Sequence, residues 1–206
     1  MPRPRFAKLE PEKQQAILNA AMQEFATRGY ERASFNRIIE QAGVSKGAMY
    51  YYFDDKEDLF NTVVETVLQR ALGEFAALPN AETPEQFWDM LHRFMSQALR
   101  LIHDEPTLAG LMKSVLSLHA AGSTIAAVET VRTLYRSWAE QFVRQAQGLG
   151  AIRSDLPFDL LVSLTVAVAS AGDVWLVEHH EELGAADAEL FCTQFLDMMR
   201  GALGPH

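Results

Sequence analysis

The chain has 206 residues, of which 49% are hydrophobic and 22% charged, and its formal net charge is −9. This hydrophobic content excludes an intrinsically disordered protein, and the length allows one or two domains with buried cores. The single cysteine, Cys192, excludes an internal disulfide and is typical of a protein in the reducing cytoplasm. No apolar run follows the basic residues of the N-terminus MPRPRFAKLE, so we expect no signal peptide.

The charge is distributed unevenly along the chain. Residues 1–56 contain nine lysines and arginines against seven acidic residues, a local charge of +2, whereas the remaining residues contain nine against twenty, a charge of −11. A small basic segment attached to an acidic body is compatible with a protein that binds DNA at one end only. The first ten residues, with Arg3 and Arg5, resemble a basic arm that could add a DNA contact or have no role.

The first three helices are predicted from their end signals. Residues 11–28 place apolar side chains at every fourth position and are followed by a glycine, which indicates a helix. A short second helix begins at Ser34, a turn contains Gly43, and a third helix begins at Ser45. Two short helices joined by a glycine-containing turn constitute a helix-turn-helix, whose second helix can enter the major groove of DNA.

The stretch GVSKGAMYYYFDDK contains more polar and aromatic residues than packing alone explains. Met49 and Phe53 are one turn apart and can share a buried face, whereas at most one of tyrosines 50–52 can join them. Gly47 costs about 0.5–1 kcal/mol relative to alanine within a helix, which a closely approaching partner would explain. Lys56 opposes the dipole of the helix that it begins and therefore suggests an external anion such as phosphate.

The remaining chain predicts further helices and no strands. Apolar positions with helical spacing, interrupted by proline and glycine, predict helices over residues 55–78, 84–102, 106–118, 125–147, 157–180 and 185–203. No β alternation, internal repeat or low-complexity segment interrupts them. We therefore expect an all-α protein of about nine helices.

The eighth helix predicts an oligomer. The run from Phe158 to Val177 has charges only at Asp159 and Asp173, so nearly every face of this helix must be buried. The run approaches the roughly 20 residues that a membrane span requires, but its polar residues and the lack of a flanking basic cluster favour a soluble protein. Together with the apolar face of the ninth helix, it predicts a homodimer held by a bundle of the last two helices of each chain.

Residues 33–60, ASFNRIIEQAGVSKGAMYYYFDDKEDLF, resemble the helix-turn-helix signature of the TetR family of bacterial transcriptional repressors. The similarity is looser from Pro11 to residue 32 and extends to the body mainly in architecture, with GAIRSDLPFDLL resembling the loop before the eighth helix. This resemblance implies a helix-turn-helix head on a helical body that binds an effector and dimerises.

The resemblance also implies the DNA-binding residues, which cluster at the starts of the second, third and fourth helices. They are Ser34, Arg37, Ser45, Lys46, Gly47, Ala48, Tyr50, Tyr51, Tyr52 and Lys56. Three positions depart from the family's usual pattern. Arg37 replaces a frequent acidic residue and could add a backbone contact, Ile39 replaces a frequent alanine, and Ala48 lacks a hydroxyl but can contact a thymine methyl group.

An apolar effector pocket is a further hypothesis. Aromatic and methionine side chains are numerous in the body, although core packing is the alternative for each of them. The candidate ligand-binding residues are Trp88, Met95, Met112, Trp138, Phe142 and Trp175. Asp173 could bind a polar ligand group or pair across a dimer interface. His119, His179 and His180 lack the companion ligands of a metal site, so we expect no metal and no cofactor.

The sequence therefore predicts a ligand-responsive repressor, with a DNA-binding domain over residues 1–56 and an effector-binding and dimerisation domain over residues 57–206. We expect a palindromic double-stranded operator, a small and largely apolar effector, a homodimer, a cytoplasmic location and no membrane partner. The fourth helix would transmit the signal because it joins head and body. No enzyme motif of the GxGxxG, GxSxG or HExxH type is present. The alternatives are a helical interaction protein without DNA binding, or an activator on the same fold.

Overall fold

The structure is a computed structural model that describes residues 5–75, 81–179 and 182–205. The described residues form helices and contain no strand, which confirms the all-α prediction. Within the described ranges there are nine helices, α1 (Pro11–Arg32), α2 (Phe35–Gln41), α3 (Lys46–Tyr52), α4 (Lys56–Phe75), α5 (Pro84–Asp104), α6 (Pro106–Ala120), α7 (Ala126–Gly148), α8 (Phe158–His179) and α9 (Ala185–Leu203).

Where a capping residue or a glycine marks the end of a helix, the helix ends close to the predicted position. Thr83 caps α5 by accepting a hydrogen bond from Gln86 N at 3.2 Å. Gly29, with φ 70° and ψ 163°, breaks the regular helix where the first helix was expected to end, although three further residues complete α1. The predicted end of the fourth helix near residue 78 lies outside the described residues.

The chain divides into two compact units that do not follow the predicted domains. One unit contains Met1–Glu74 and Pro106–Thr130, and the other contains Phe75–Glu105 and Val131–His206. The first unit therefore includes α6 and the first turn of α7 in addition to the predicted DNA-binding head. The functional division at residue 56 stays a prediction.

In the first unit, α1 to α4 surround a core of aromatic and aliphatic side chains. Phe25 of α1 lies fully buried against Phe60 of α4, with ring centroids 4.9 Å apart. Helix α6 packs directly on α1, because a Cβ atom at Gly110 would lie only 2.7 Å from the carbonyl oxygen of Ala26. Asn61 Oδ1 accepts a hydrogen bond from Ala127 N at 2.8 Å and so attaches the start of α7 to α4.

In the second unit, α5 and α7 to α9 pack around a core in which Phe142 is fully buried. Gly172 of α8 allows close packing with α9, because a Cβ atom there would lie 2.8 Å from the ring of Phe195. A smaller apolar cluster contains Leu99, Leu176 and Cys192.

Helix α8 leaves a long apolar stripe uncovered within the chain. The exposed apolar residues recur at helical spacing; they are Leu160, Leu164, Ala167, Ala171 and Trp175. Helix α9 adds exposed Leu190 and Met198. By length and composition alone α8 could cross a membrane, with a mean hydropathy of 1.9 over its most apolar 18 residues, of which 33% are buried in the protein.

Candidate nucleic-acid interface

The helix-turn-helix is fixed by two serine caps and one glycine turn. Ser34 Oγ accepts a hydrogen bond from Arg37 N at 3.4 Å, and Ser45 Oγ accepts one from Ala48 N at 3.1 Å. These bonds satisfy amides at the starts of α2 and α3. Gly43 adopts φ 65° in the turn between the helices, a left-handed conformation that favours glycine.

Helix α3 has one buried face and one exposed face. Met49 and Phe53 are fully buried, as their spacing predicted. Tyr50 and Tyr51 are 45% and 48% exposed, whereas Tyr52 is only partly exposed. Large exposed aromatic side chains on adjacent positions indicate a binding surface more than a packing requirement.

The start of α3 is open to a partner. Apart from its two neighbours in the chain and the backbone of α3, no atom of the described residues would lie within 4 Å of a Cβ atom at Gly47, and its φ is not positive. The described part of the chain therefore gives no steric reason for glycine there. Lys46 Nζ lies 6.0 Å from the ring centroid of Tyr50, which also packs against Phe35 of α2 at 5.2 Å.

Arg37 and Ser34 share a partner on α1 that the sequence analysis missed. Glu24 is only 4% exposed; its Oε1 accepts a hydrogen bond from Ser34 N at 3.0 Å and lies 3.5 Å from Arg37 Nη1. The carboxylate therefore fixes the start of α2 against α1. The sequence did contain a sign that Glu24 is buried. It lies three residues after Ala21 and seven after Ile17, and therefore on the same apolar face of α1.

Lys56 does not point freely to solvent. Its Nζ donates to the carbonyl oxygens of Tyr30 at 2.7 Å, Glu31 at 3.2 Å and Ala33 at 3.3 Å, and it lies 4.5 Å from the ring centroid of Tyr30. These carbonyl groups terminate α1, where a cation is favourable. In the sequence, the position of Lys56 at the start of α4 suggests an external anion. That inference is weakened, because carbonyl groups of the chain itself are the partners of this lysine. Phosphate binding by Lys56 stays a prediction.

The described part of the N-terminal segment packs against α3. Phe6 is 4% exposed, and its ring centroid lies 4.8 Å from that of Phe53 and 6.2 Å from that of Tyr52. Arg5 Cζ lies 4.3 Å from the ring centroid of Tyr51. Arg3 lies outside the described residues.

The structure brings together four of the six candidate effector residues. Trp138 stacks on Phe142 with centroids 5.4 Å apart, Trp88 lies 6.3 Å from Phe142, and Met95 packs against the same core. Met112 belongs to the other unit, on α6.

Trp175 has different neighbours from the other candidates. It is 40% exposed and stacks on Phe191 of α9 at 4.8 Å and on His179 at 4.6 Å. The grouping of Trp175 with Trp138 and Phe142 around one effector pocket stays a prediction. The rings of Trp175 and His179, one turn apart on α8, and of Phe191 on α9 therefore stack together where α8 meets α9.

A partly buried acid joins α7 to α8. Asp173 accepts a hydrogen bond from the hydroxyl group of Tyr135, a partner within the chain that the sequence did not reveal. Burial raises the pKa of Asp173 to about 6, and the Tyr135 hydrogen bond only partly opposes this shift. Burial and the adjacent carboxylate raise the pKa of Tyr135 well above its usual value. Among the residues described, no three histidine, cysteine or acidic side chains form a group that could hold a metal ion.

Comparison with known proteins identifies the helix-turn-helix region. Residues 17–63 match the family described as bacterial regulatory proteins, tetR family. This range covers α2, α3, most of α1 and the start of α4.

Relatives and solved structures extend the similarity beyond the head. The chain is 25% identical over 134 residues to the uncharacterized HTH-type transcriptional regulator YvdT of Bacillus subtilis, covering 65% of this chain and 66%, just under two thirds, of that protein. It is 28% identical over 157 residues to the HTH-type transcriptional repressor AcnR of Corynebacterium diphtheriae, covering 72% and 73%. The structure of the Bacillus subtilis regulator FadR in complex with stearoyl-CoA has the same fold, with a TM-score of 0.71, 17% identity and coverage of 92% and 98%.

Proposed function

We propose that the chain belongs to the TetR family of bacterial regulatory proteins and is a DNA-binding transcriptional repressor released from its operator by a small apolar molecule. The observation that carries this proposal is the exposed face of α3. It presents Lys46, Gly47, Tyr50 and Tyr51 on a helix whose opposite face is anchored by fully buried Met49. A regulator named as a repressor among the relatives favours repression over activation.

The contacts with DNA divide by position. Lys46, Gly47, Ala48 and Tyr51 meet base edges or the adjacent backbone in the major groove, while the N-terminus of α2, Tyr50 and Tyr52 contact phosphates. Phosphate contacts set the register of the protein on DNA, and base-edge contacts select the sequence. Arg37 and Ser45 act mainly as positioning residues, since one pairs with Glu24 and the other caps α3.

A homodimer forms through α8 and α9. The uncovered apolar stripe on α8, from Leu160 to Trp175, is a continuous exposed apolar surface of the kind that marks a protein–protein interface. A second copy would cover it with its own identical stripe about a two-fold axis. The dimer would present two α3 helices to half-sites about 34–36 Å apart, one turn of DNA, which requires a palindromic operator.

The effector binds in the second unit beside the cluster of Trp88, Trp138 and Phe142. A related fold that holds stearoyl-CoA supports an apolar, chain-like effector, and acyl-CoA thioesters and fatty acids are the first compounds to test. Effector binding would favour a conformer with a different α3 separation and so release DNA. The signal would pass through α4, which is attached to the start of α7 by the Asn61 hydrogen bond.

The proposal includes a cytoplasmic location and a regulatory rather than enzymatic role. A titration of the full-length protein against a labelled duplex from upstream of its own gene tests DNA binding by gel shift. The same complex is then titrated with an acyl-CoA series while tryptophan fluorescence is recorded. We expect a shifted band at low salt. An effector should dissociate the protein–DNA complex, which removes the shifted band, and should change the tryptophan fluorescence.

The outcomes separate the candidate functions. A complex with DNA that no tested compound affects would contradict the proposed effector class but not the DNA-binding function. A protein that binds neither this duplex nor neighbouring upstream regions at low salt would be a helical interaction protein. If loss of the protein–DNA complex lowered transcription of the target gene in vivo, the protein would be an activator.

A further inference from the structure

The segment Arg5–Leu9 is a structural part of the helix-turn-helix surface. Short N-terminal extensions are usually poorly ordered unless contacts hold them down. Here Lys8 N donates to Arg5 O at 3.3 Å and Leu9 N donates to Phe6 O at 3.0 Å, which closes a compact turn. Gln14 Nε2 of α1 donates to Leu9 O at 2.6 Å and attaches that turn to the first helix.

Phe6 anchors this segment in the head. Its ring inserts beside Phe53 and Tyr52, at the C-terminal end of α3, and almost all of its surface is removed from water. Since apolar burial is the main source of such anchoring, the position of Arg5 relative to α3 is set by its neighbour in sequence.

Arg5 consequently lies over Tyr51, which remains half exposed. The guanidinium carbon is 4.3 Å from the ring centroid, within the range of a cation–π contact. A guanidinium group carries five N–H donors, and its planar array of donors matches the geometry of a phosphate group. Within α3 itself, KGAMYYY, Lys46 is the one cation, and it stands at the opposite end from Tyr51 and Tyr52.

We infer that Arg5 is a second cation of the α3 surface, which binds a backbone phosphate of DNA, and that Phe6 is the positioning residue that holds it there. This inference rests on the proposed DNA-binding function and adds a residue outside the helix-turn-helix to it. Tyr51 then serves as the platform for Arg5, and the segment Arg5–Leu9 and α3 form one continuous surface for DNA.

The test is the salt dependence of binding to the duplex that the wild-type full-length protein shifts. Each phosphate contact contributes about −0.9 to the slope of log K against log salt concentration. Arg5→Gln should therefore make the slope less steep by about 1 and weaken binding about fivefold to tenfold near 0.1 M salt. Arg5→Lys keeps the charge and should keep the slope. Arg93→Gln, which removes an exposed cation from the other unit, is the matched control and should change neither quantity.

The role of Phe6 is tested by a double-mutant cycle. If Phe6 acts through Arg5, Phe6→Ala should reproduce the slope change of Arg5→Gln, and the double variant should show no further change. Urea unfolding of the same samples separates this effect from a loss of folding, and Phe6→Leu, which retains an apolar anchor, should keep the wild-type slope.

The results distinguish this inference from the function on which it rests. Salt-dependent binding by the wild type together with an unchanged slope for Arg5→Gln would overturn the assignment of Arg5 alone. The affinity of Arg5→Gln can also be compared on operators that differ by one base pair. If Arg5→Gln weakened binding to the original operator but not to one with a single base pair changed, Arg5 would contact a base instead of a phosphate, and the assignment would be overturned. Absence of salt-dependent binding by the wild type would overturn both the proposed function and the role of Arg5.

Discussion

The ammonium nitrogen of Lys56 lies 2.7 Å from the carbonyl oxygen of Tyr30, and this contact joins the start of α4 to the end of α1. The carbonyl oxygens of Glu31 and Ala33 complete the set of acceptors. The kink at Gly29 lies immediately before them, and it reorients the final turn of α1. Lys56 therefore connects the two helices that frame the helix-turn-helix.

Replacement of Lys56 by methionine should destabilise the head. The variant keeps the length of the side chain but removes the ammonium group that donates to three carbonyl groups at the end of α1, which should lower the free energy of unfolding by about 1–2 kcal/mol. Urea unfolding followed by circular dichroism measures this change. Lys46→Met, at an exposed position of α3, is the control and should remain within about 0.5 kcal/mol of wild type. Equal unfolding midpoints for the two variants would contradict the structural role of Lys56.

Two substitutions of Glu24 should separate its charge from its backbone hydrogen bond. Glu24→Gln removes the charge facing Arg37 but retains an oxygen that can accept from Ser34 N, so the cost should stay within about 1 kcal/mol. Glu24→Ala also leaves that amide without a partner and should cost about 2–3 kcal/mol. Equilibrium unfolding of both variants is the measurement. If glutamine were as damaging as alanine, the ion pair and not the cap of α2 would be the main contribution of Glu24.

The Asp173–Tyr135 pair should make stability depend on pH. An aspartate in an unfolded chain titrates near pH 3.9, whereas the pKa of Asp173 in the folded protein is about 6. Between these values the folded state binds more protons than the unfolded state, so this group lowers stability as pH rises. Asp173→Asn, which cannot ionise, should therefore gain about 2–3 kcal/mol relative to wild type between pH 4 and pH 7.

Urea unfolding at several pH values measures this difference between Asp173→Asn and wild type. Asp159→Asn, at an exposed position of the same helix, is the control and should differ from wild type by no more than about 0.5 kcal/mol. A constant difference between Asp173→Asn and wild type over the whole range would show that Asp173 does not titrate in this window.

A charge in the exposed stripe of α8 should prevent dimerisation. Leu164 is 40% exposed within the chain, so lysine is tolerated there by the isolated protomer, but it would be buried without a partner in the dimer. Sedimentation velocity should show a dimer for wild type and a monomer for Leu164→Lys. Gln141→Lys adds the same charge to an exposed position of α7 and should remain dimeric. A monomeric wild type, or a dimeric Leu164→Lys, would contradict an interface through α8.

Local signals in the sequence were sufficient for the helices and for the anchoring of α3. The serine caps at Ser34 and Ser45 and the glycine turn at Gly43 act within a few residues, so their sequence pattern determines their structure. The burial of Met49 and Phe53 follows from helical spacing alone. These contacts require no knowledge of distant parts of the chain.

Contacts between residues distant in sequence could not be predicted in this way. Lys56 and Tyr30 are separated by 26 positions, and Tyr135 and Asp173 by 38, so no periodicity relates them. The position of Trp175 depends on which face of α8 the ring of Phe191 covers, and an apolar helix with little amphipathic pattern does not reveal that face. The same limit applies to α6, whose packing on α1 places it in the first unit.

Binding of duplex DNA by the α3 surface is tested most directly by fluorescence anisotropy with the labelled upstream duplex over a series of salt concentrations. The wild-type protein should bind with log K falling linearly with log salt concentration, and Lys46→Gln should weaken binding and make the slope less steep by about 1. An affinity that does not change with salt, or a Lys46→Gln variant indistinguishable from wild type, would contradict DNA binding through α3.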